Sequence, residues 1–121
     1  MATIQELQDK TKEFIDSRDW RQFQTAKELA ISASVESNEL LELFQWQDGK
    51  EIDKKLLNGE DTALFKKIKN ETADVVFSCL AIADHLGFDM EEAFTSKLAE
   101  LDKRYDKGKV KGKFTKIPES P

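Results

Sequence analysis

Histidine and cysteine are almost missing from this chain, and each shortage removes a kind of chemistry. A lone cysteine, Cys79, has no partner for an intramolecular disulfide, and its place in an apolar run reads as a small buried hydrophobe. The lone histidine, His85, has Ile82 three positions before it, so the Glu-x-x-His pairs of a di-iron carboxylate bundle are disfavoured. No apolar run is long enough for a membrane span, and the opening MATIQELQDK has no signal-peptide core. A soluble, cytoplasmic protein with no membrane partner is expected. Strand-like alternation, internal repeats and domain linkers are missing too, which leaves an all-α reading.

Charge is abundant but unevenly placed. Seven basic residues fall between Lys103 and Lys116 against Asp106 alone, while the rest of the chain carries 12 basic and 23 acidic side chains. An acidic body with a basic tail argues against a partner that is a nucleic-acid polymer. Within 121 residues, 39% of them apolar and including eight Phe and two Trp, there is material for one domain with a modest core.

Helical periodicity organises that material. Ile4, Leu7, Phe14 and Ile15 recur at helical spacing and predict a first helix over about Thr3 to Arg18. The segment RDWRQFQ, Arg18 to Gln24, breaks the period and reads as a connection with an aromatic anchor. Thr25 and Glu28 fit a capping box opening a second helix to about Gln45, which Asp48-Gly49 would stop. Glu51 to Leu57 predicts a short helix ending at Asn58-Gly59. A long helix follows from about Asp61 to Leu86, with Gly87 as its left-handed cap, and Asp89 to Glu92 caps another containing Phe94, Leu98, Leu101 and Tyr105. After Asp106, glycines and lysines are expected to end regular structure. The segment VVFSCLAIA in the long helix is apolar nearly all the way round. A small bundle covers one side of such a helix, so another chain is expected to bury the other. The fold expected is therefore an all-α bundle of about four main helices per chain, assembled as a homo-oligomer, either a dimer or a dimer of dimers.

Carboxylates interrupt two of the inward faces. At roughly 100° per residue, Glu36 shares a stripe with Leu29, Ala33, Leu40 and Leu43, and Glu39 sits at its margin. On the long helix Glu71 and Asp74 are again three apart and share a stripe with Val75, Ser78 and Ile82. Desolvating an ionised carboxylate without a partner costs several kcal/mol, so these positions imply a cation or a basic partner. Packed antiparallel with axes about 8 to 10 Å apart, the two helices would gather four carboxylates around one pocket. All-oxygen donors suit a hard divalent cation, Mg²⁺ first and Mn²⁺ second.

RDW at Arg18 to Trp20, Glu36 and Glu39 continuing through Glu42 into LFQW, and the pair Glu71 and Asp74 together resemble the all-α nucleoside triphosphate pyrophosphohydrolases of the MazG type, nearest their dCTP pyrophosphatase branch. The resemblance runs from about Ile4 to Lys113. It implies residues 1–106 as a MazG-like pyrophosphohydrolase domain followed by a basic, flexible tail, 107–121. It also implies Mg²⁺-dependent hydrolysis of a (deoxy)nucleoside triphosphate, dCTP or a modified dCTP favoured, to the monophosphate and pyrophosphate, in a nucleotide-pool housecleaning role. By the same resemblance Glu36, Glu39, Glu71 and Asp74 hold metal, with Glu36 or Glu39 as the base. Trp20 and Trp46 enclose the nucleobase, and Lys97, Arg104 and Tyr105 lie near the nucleotide. Val35, Asn38, Thr11, Ser78, Leu101 and Asp106 depart from the branch's usual residues, mostly around the base. A non-catalytic helical module that binds nucleotide or protein is the alternative.

Overall fold

Each helix begins where a short polar side chain can take up free backbone donors. The computed structural model describes residues 1–119. In it α1, Ile4–Ser17, starts at a Thr3 capping box whose Oγ1 accepts from the Glu6 amide at 3.1 Å. Asp19 then takes a left-handed φ of 52°, and a single 3₁₀ turn, Arg21–Phe23, carries the chain to Thr25, which caps α2, Ala26–Glu42. Helix α2 ends about three residues before the expected Gln45, in turns closed by the Phe44 amide donating to the Leu41 carbonyl at 2.9 Å. Asp48-Gly49 does not stop that helix but starts the next. The Asp48 carboxylate accepts from the amides of Lys50 and Glu51, so α3 runs Gly49–Leu57.

Asp61 caps α4, Thr62–Leu86, and Gly87 closes it at φ 77°, where the Gly87 and Phe88 amides both reach the Ala83 carbonyl. Asp89 caps α5, Met90–Arg104. The expectation that regular structure ends at Asp106 is corrected: the Asp106 carboxylate accepts from the Gly108 amide and holds one further turn, α6, Lys107–Val110. Residues 120 and 121 of the expected tail lie outside the described residues. Among the described residues there is no strand, and no helix is long and apolar enough to cross a membrane.

Helix α4 is the spine, with α2 packed along one side, α1 along another, α3 touching it and α5 resting on α1. Leu29 clusters with Ile15, Ala81 and Ile82, and Ile52, Leu80 and Ala83 are also buried. Ile15 is the largest side chain fully withdrawn from solvent, so the core of one chain is thin. The buried stripe of α1 is Gln8, Thr11 and Ile15, whereas Leu7 and Phe14, expected to face inward, are 42% and 37% exposed. They instead flank an apolar groove between α1 and α4 with Val76, Phe77 and Leu80. Cys79 is half-buried rather than buried.

Polar links complete the packing. The Gln8 amide nitrogen donates to the Phe88 carbonyl at 2.8 Å, and its oxygen accepts from the Met90 amide at 3.0 Å, fastening the α4–α5 turn to α1. Arg21 reaches Asp84 of α4 at 2.6 Å and Asp16 of α1 at 2.7 Å, tying the 3₁₀ turn to both helices. These two hydrogen bonds raise the Arg21 pKa. Phe14 meets Trp20 and Phe77 edge-on at 5.7 and 5.6 Å, the aromatic anchor expected of the connection.

Candidate metal and nucleotide site

Leu29 clusters with Ala81, and seven residues further along α2 Glu36 meets Asp74 and Glu71, so α2 and α4 run antiparallel. That crossing brings one carboxylate oxygen from each of Glu36, Glu71 and Asp74 within 4.8 Å of the others. Glu36 and Glu71 are half-buried, and Asp74 is exposed. Oε2 of Glu36 and Oε2 of Glu71 are both cut off from solvent and have no hydrogen-bond partner. Carboxylate oxygens accept and cannot satisfy one another while ionised, so these two are stranded among like charges.

The electrostatics follow from that placement. Burial raises the pKa of Glu36 above its ordinary value, and the neighbouring charge of Glu39 adds to it, ahead of Asp74 and Glu71. Glu71 is raised in the same way, by burial first, then Glu39, with Asp74 and Glu42 contributing. Glu39 therefore stands beside the cluster rather than among its three converging oxygens. Glu42, which the periodicity left away from the apolar stripe, acts on Glu71 by charge. A divalent cation fits this donor set: it would satisfy the two stranded oxygens and relieve the repulsion that raises both groups.

A MazG-like family profile matches residues 31–116, a span that contains Glu36, Glu39, Glu42, Glu71 and Asp74 and all of α4 and α5. The chain belongs to the MazG-like family. Among its relatives, dCTP pyrophosphatase 1 of Homo sapiens is 30% identical over 120 residues, which cover 98% of this chain and 68% of that protein. The Rattus norvegicus dCTP pyrophosphatase 1 is 29% identical over 119 residues, 96% of this chain and 68% of the rat protein. A crystal structure of a pyrophosphatase from Archaeoglobus fulgidus DSM 4304 superposes with a TM-score of 0.72 at 32% identity, covering 88% of this chain and 94% of that one.

The remaining candidates of this MazG-like chain fall into separate groups. Trp20 lies outside the matched span and packs half-exposed against Phe14. Trp46 stands in the turns after α2 with 87% of its surface exposed. Lys97 stands midway along α5 and Arg104 and Tyr105 at its far end, where the Arg104 guanidinium lies 5.2 Å over the Tyr105 ring. Among the described residues no ion pair or hydrogen bond joins this basic group to the acidic one. Sequence reasoning missed two neighbours of the basic group, Glu100 and Glu119. Glu100 was legible as an i,i+3 partner of Lys97 and an i,i+4 partner of Arg104. Glu119 carried no local signal.

Proposed function

We infer that this chain is a nucleoside triphosphate pyrophosphohydrolase, and we propose that it converts dCTP or a modified dCTP to the monophosphate and pyrophosphate with Mg²⁺, Mn²⁺ serving second, in a cytoplasmic nucleotide-pool housecleaning role. The observation that carries the reading is the pair of stranded oxygens on Glu36 and Glu71, converging with Asp74 where α2 crosses α4. The names of the relatives support the choice of substrate.

Glu36, Glu71 and Asp74 would hold the cation, with Glu39 at the edge of the set. When bound, such an ion neutralises phosphate charge and orients a water for attack. Glu39 or Glu36 would take the proton of the attacking water. Trp20 and Trp46 would enclose the base, where stacking contributes about 1 to 3 kcal/mol. Lys97 and Arg104 would take phosphate oxygens, Arg104 held in place by its stacking on Tyr105.

A second copy of the chain completes this picture. Leu7, Phe14, Val76 and Phe77 leave an apolar strip along α1 and α4, and a core whose largest fully buried side chain is one isoleucine is small for an independent domain. We propose that a dimer, or a dimer of dimers, covers that strip.

The test is a panel of ribo- and deoxyribonucleoside triphosphates with Mg²⁺, assayed for pyrophosphate against orthophosphate. Pyrophosphate release, fastest with dCTP or a modified dCTP, is expected. Failure to turn over any member, with the protein folded and oligomeric, overturns the enzyme reading. Light scattering of Phe77→Glu checks the assembly: a shift to monomer is expected, and an unchanged mass rejects the strip as the interface.

A further inference from the structure

The end of the basic tail is acidic, and it folds back. Lys113 donates to the Val110 carbonyl at 2.8 Å and Gly112 takes φ 76°, a left-handed turn that reverses the chain after α6. The Tyr105 hydroxyl then bridges both backbone groups of Ile117, accepting from its amide and donating to its carbonyl, each at 3.2 Å. This docking delivers Glu119 to the basic group. Its Oε1 lies 2.9 Å from Lys97 Nζ and 3.4 Å from Arg104 Nη1, so one carboxylate oxygen bridges two cations.

The residues around that oxygen are built for more anion than they hold. Arg104 is only 15% exposed at its side chain, and its Nε is shut off from solvent with no acceptor; Glu100 Oε1, at 3.6 Å, is beyond hydrogen-bond reach. Glu100 Oε2 sits 3.1 Å from Lys97 without hydrogen-bonding geometry. With the tail in place three cations, Lys97, Lys103 and Arg104, face two carboxylates, Glu100 and Glu119. With it gone, Lys97, Lys103 and Arg104 line the cavity against Glu100 alone. An anion with several oxygens can reach both Arg104 donors and Lys97 together, which a single carboxylate does not. Lys97 and Glu119 are half or more exposed, and exposed ion pairs are weak, so the contact releases readily.

We propose that residues 113–119 form a strap in which Glu119 stands in for a phosphate on the Lys97–Arg104 site, and that a polyphosphate displaces it. The proposal rests on the reading of Lys97 and Arg104 as phosphate contacts. The strap competes with substrate: it leaves the acidic site untouched and weakens binding without altering the chemical step.

Inorganic tripolyphosphate, titrated by calorimetry in EDTA so that the metal site is silent, is the probe. Glu119→Gln is expected to tighten its binding about two- to five-fold, the range an exposed ion pair commands. Glu13→Gln, the same charge change on α1, is expected to do nothing, and Lys97→Ala to abolish binding. Trypsin cleavage after Lys113 and Lys116 is expected to quicken when tripolyphosphate is added. In turnover, Glu119→Gln should lower KM with kcat unchanged. Equal affinity of Glu119→Gln and the unaltered protein, or a tail whose cleavage ignores tripolyphosphate, overturns the strap. A strap that opens to tripolyphosphate in a protein that releases no pyrophosphate leaves this inference standing and removes the catalytic one, so the two fail separately.

Discussion

The acidic cluster on α2 and α4 and the basic cluster at the end of α5 are built from the same parts, a few charged side chains at helical spacing, yet they are left in opposite states. At the acidic end like charges face one another, two oxygens have no partner, and burial with mutual repulsion raises Glu36 and Glu71. At the basic end the chain brings its own counter-charge: the hydrogen bond from Lys97 lowers Glu119, and that same bond to Glu119 first, with the neighbouring Glu100 next, raises Lys97. One site waits for something from outside and the other is occupied from within. A metal–triphosphate complex carries the charge that each lacks, a cation for the first and anionic oxygens for the second.

The largest effect expected is at the acidic end. Glu36→Gln, Glu71→Gln or Asp74→Asn each removes one donor from the proposed cation site, and several kcal/mol of transition-state charge stabilisation corresponds to a fall in kcat/KM of at least about a hundredfold. Circular dichroism should show helicity retained; a large loss would mark the carboxylate as structural. Next is the linkage between pH, metal and stability. Because Glu36 and Glu71 are raised on folding, their contribution is fully present below the ordinary value of 4.5 and is lost as pH climbs through their folded pKa values. At neutral pH the metal-free protein therefore carries the repulsion, and Mg²⁺ at a hundredfold excess over its Kd should raise Tm by roughly 10 °C. A doubly substituted Glu36→Gln, Glu71→Gln protein should melt higher than the parent without metal and ignore Mg²⁺; the reverse order would break the comparison.

Smaller effects sharpen it. Trp46→Ala removes a fully presented ring from the proposed base contact, and a loss of about 1 to 3 kcal/mol predicts KM higher by about 5- to 150-fold for nucleotide, with tripolyphosphate binding unchanged. Smallest is the response of the strap to acid. Glu119 is lowered on folding, so its contribution is present above the ordinary value of 4.5 and disappears as pH falls through its folded pKa. Amide resonances of Ile117 and Tyr105 should move together in that window, while those of α2 and α4 report the raised carboxylates at higher pH. Titration of both regions over the same range would erase the distinction.

What the sequence disclosed follows from how far each signal reaches. Thr3, Thr25, Asp61 and Asp89 act on backbone amides within three residues, so their helix starts were legible, as was Gly87, whose positive φ answers a local need. The spacing of three in Glu36–Glu39 and Glu71–Asp74 marked both pairs, but only Glu36 and Glu71 are half-buried where α2 crosses α4, while Glu39 and Asp74 are exposed at the edge of the crossing. Asp48-Gly49 was misread because the same dipeptide serves as a stop and as a cap, and only the next turn decides which. The buried face of α1 was misread for a different reason. Gln8 is withdrawn from solvent because its partners are Phe88 and Met90, about eighty residues away, and Leu7 and Phe14 are left outside because a single chain has nothing to put over them. The return of Glu119 to Lys97 depends on the Gly112 reversal and on the Tyr105 hydroxyl, neither of which leaves a periodic mark.

The Gln8 amide gives α5 a pivot. It grips the carbonyl of Phe88 and the amide of Met90, the last and first backbone groups of the joint, and little else ties α5 to the body beyond its contact with α1. From that pivot to Arg104 the helix is a lever arm of roughly 22 Å, so a tilt of about 10° sweeps its far end through about 4 Å. One neutral side chain, with the packing of α5 on α1, thus anchors the near end of an arm whose charged cluster it never meets, and loosening it is expected to retune the reach of the arm while both clusters keep every residue they have.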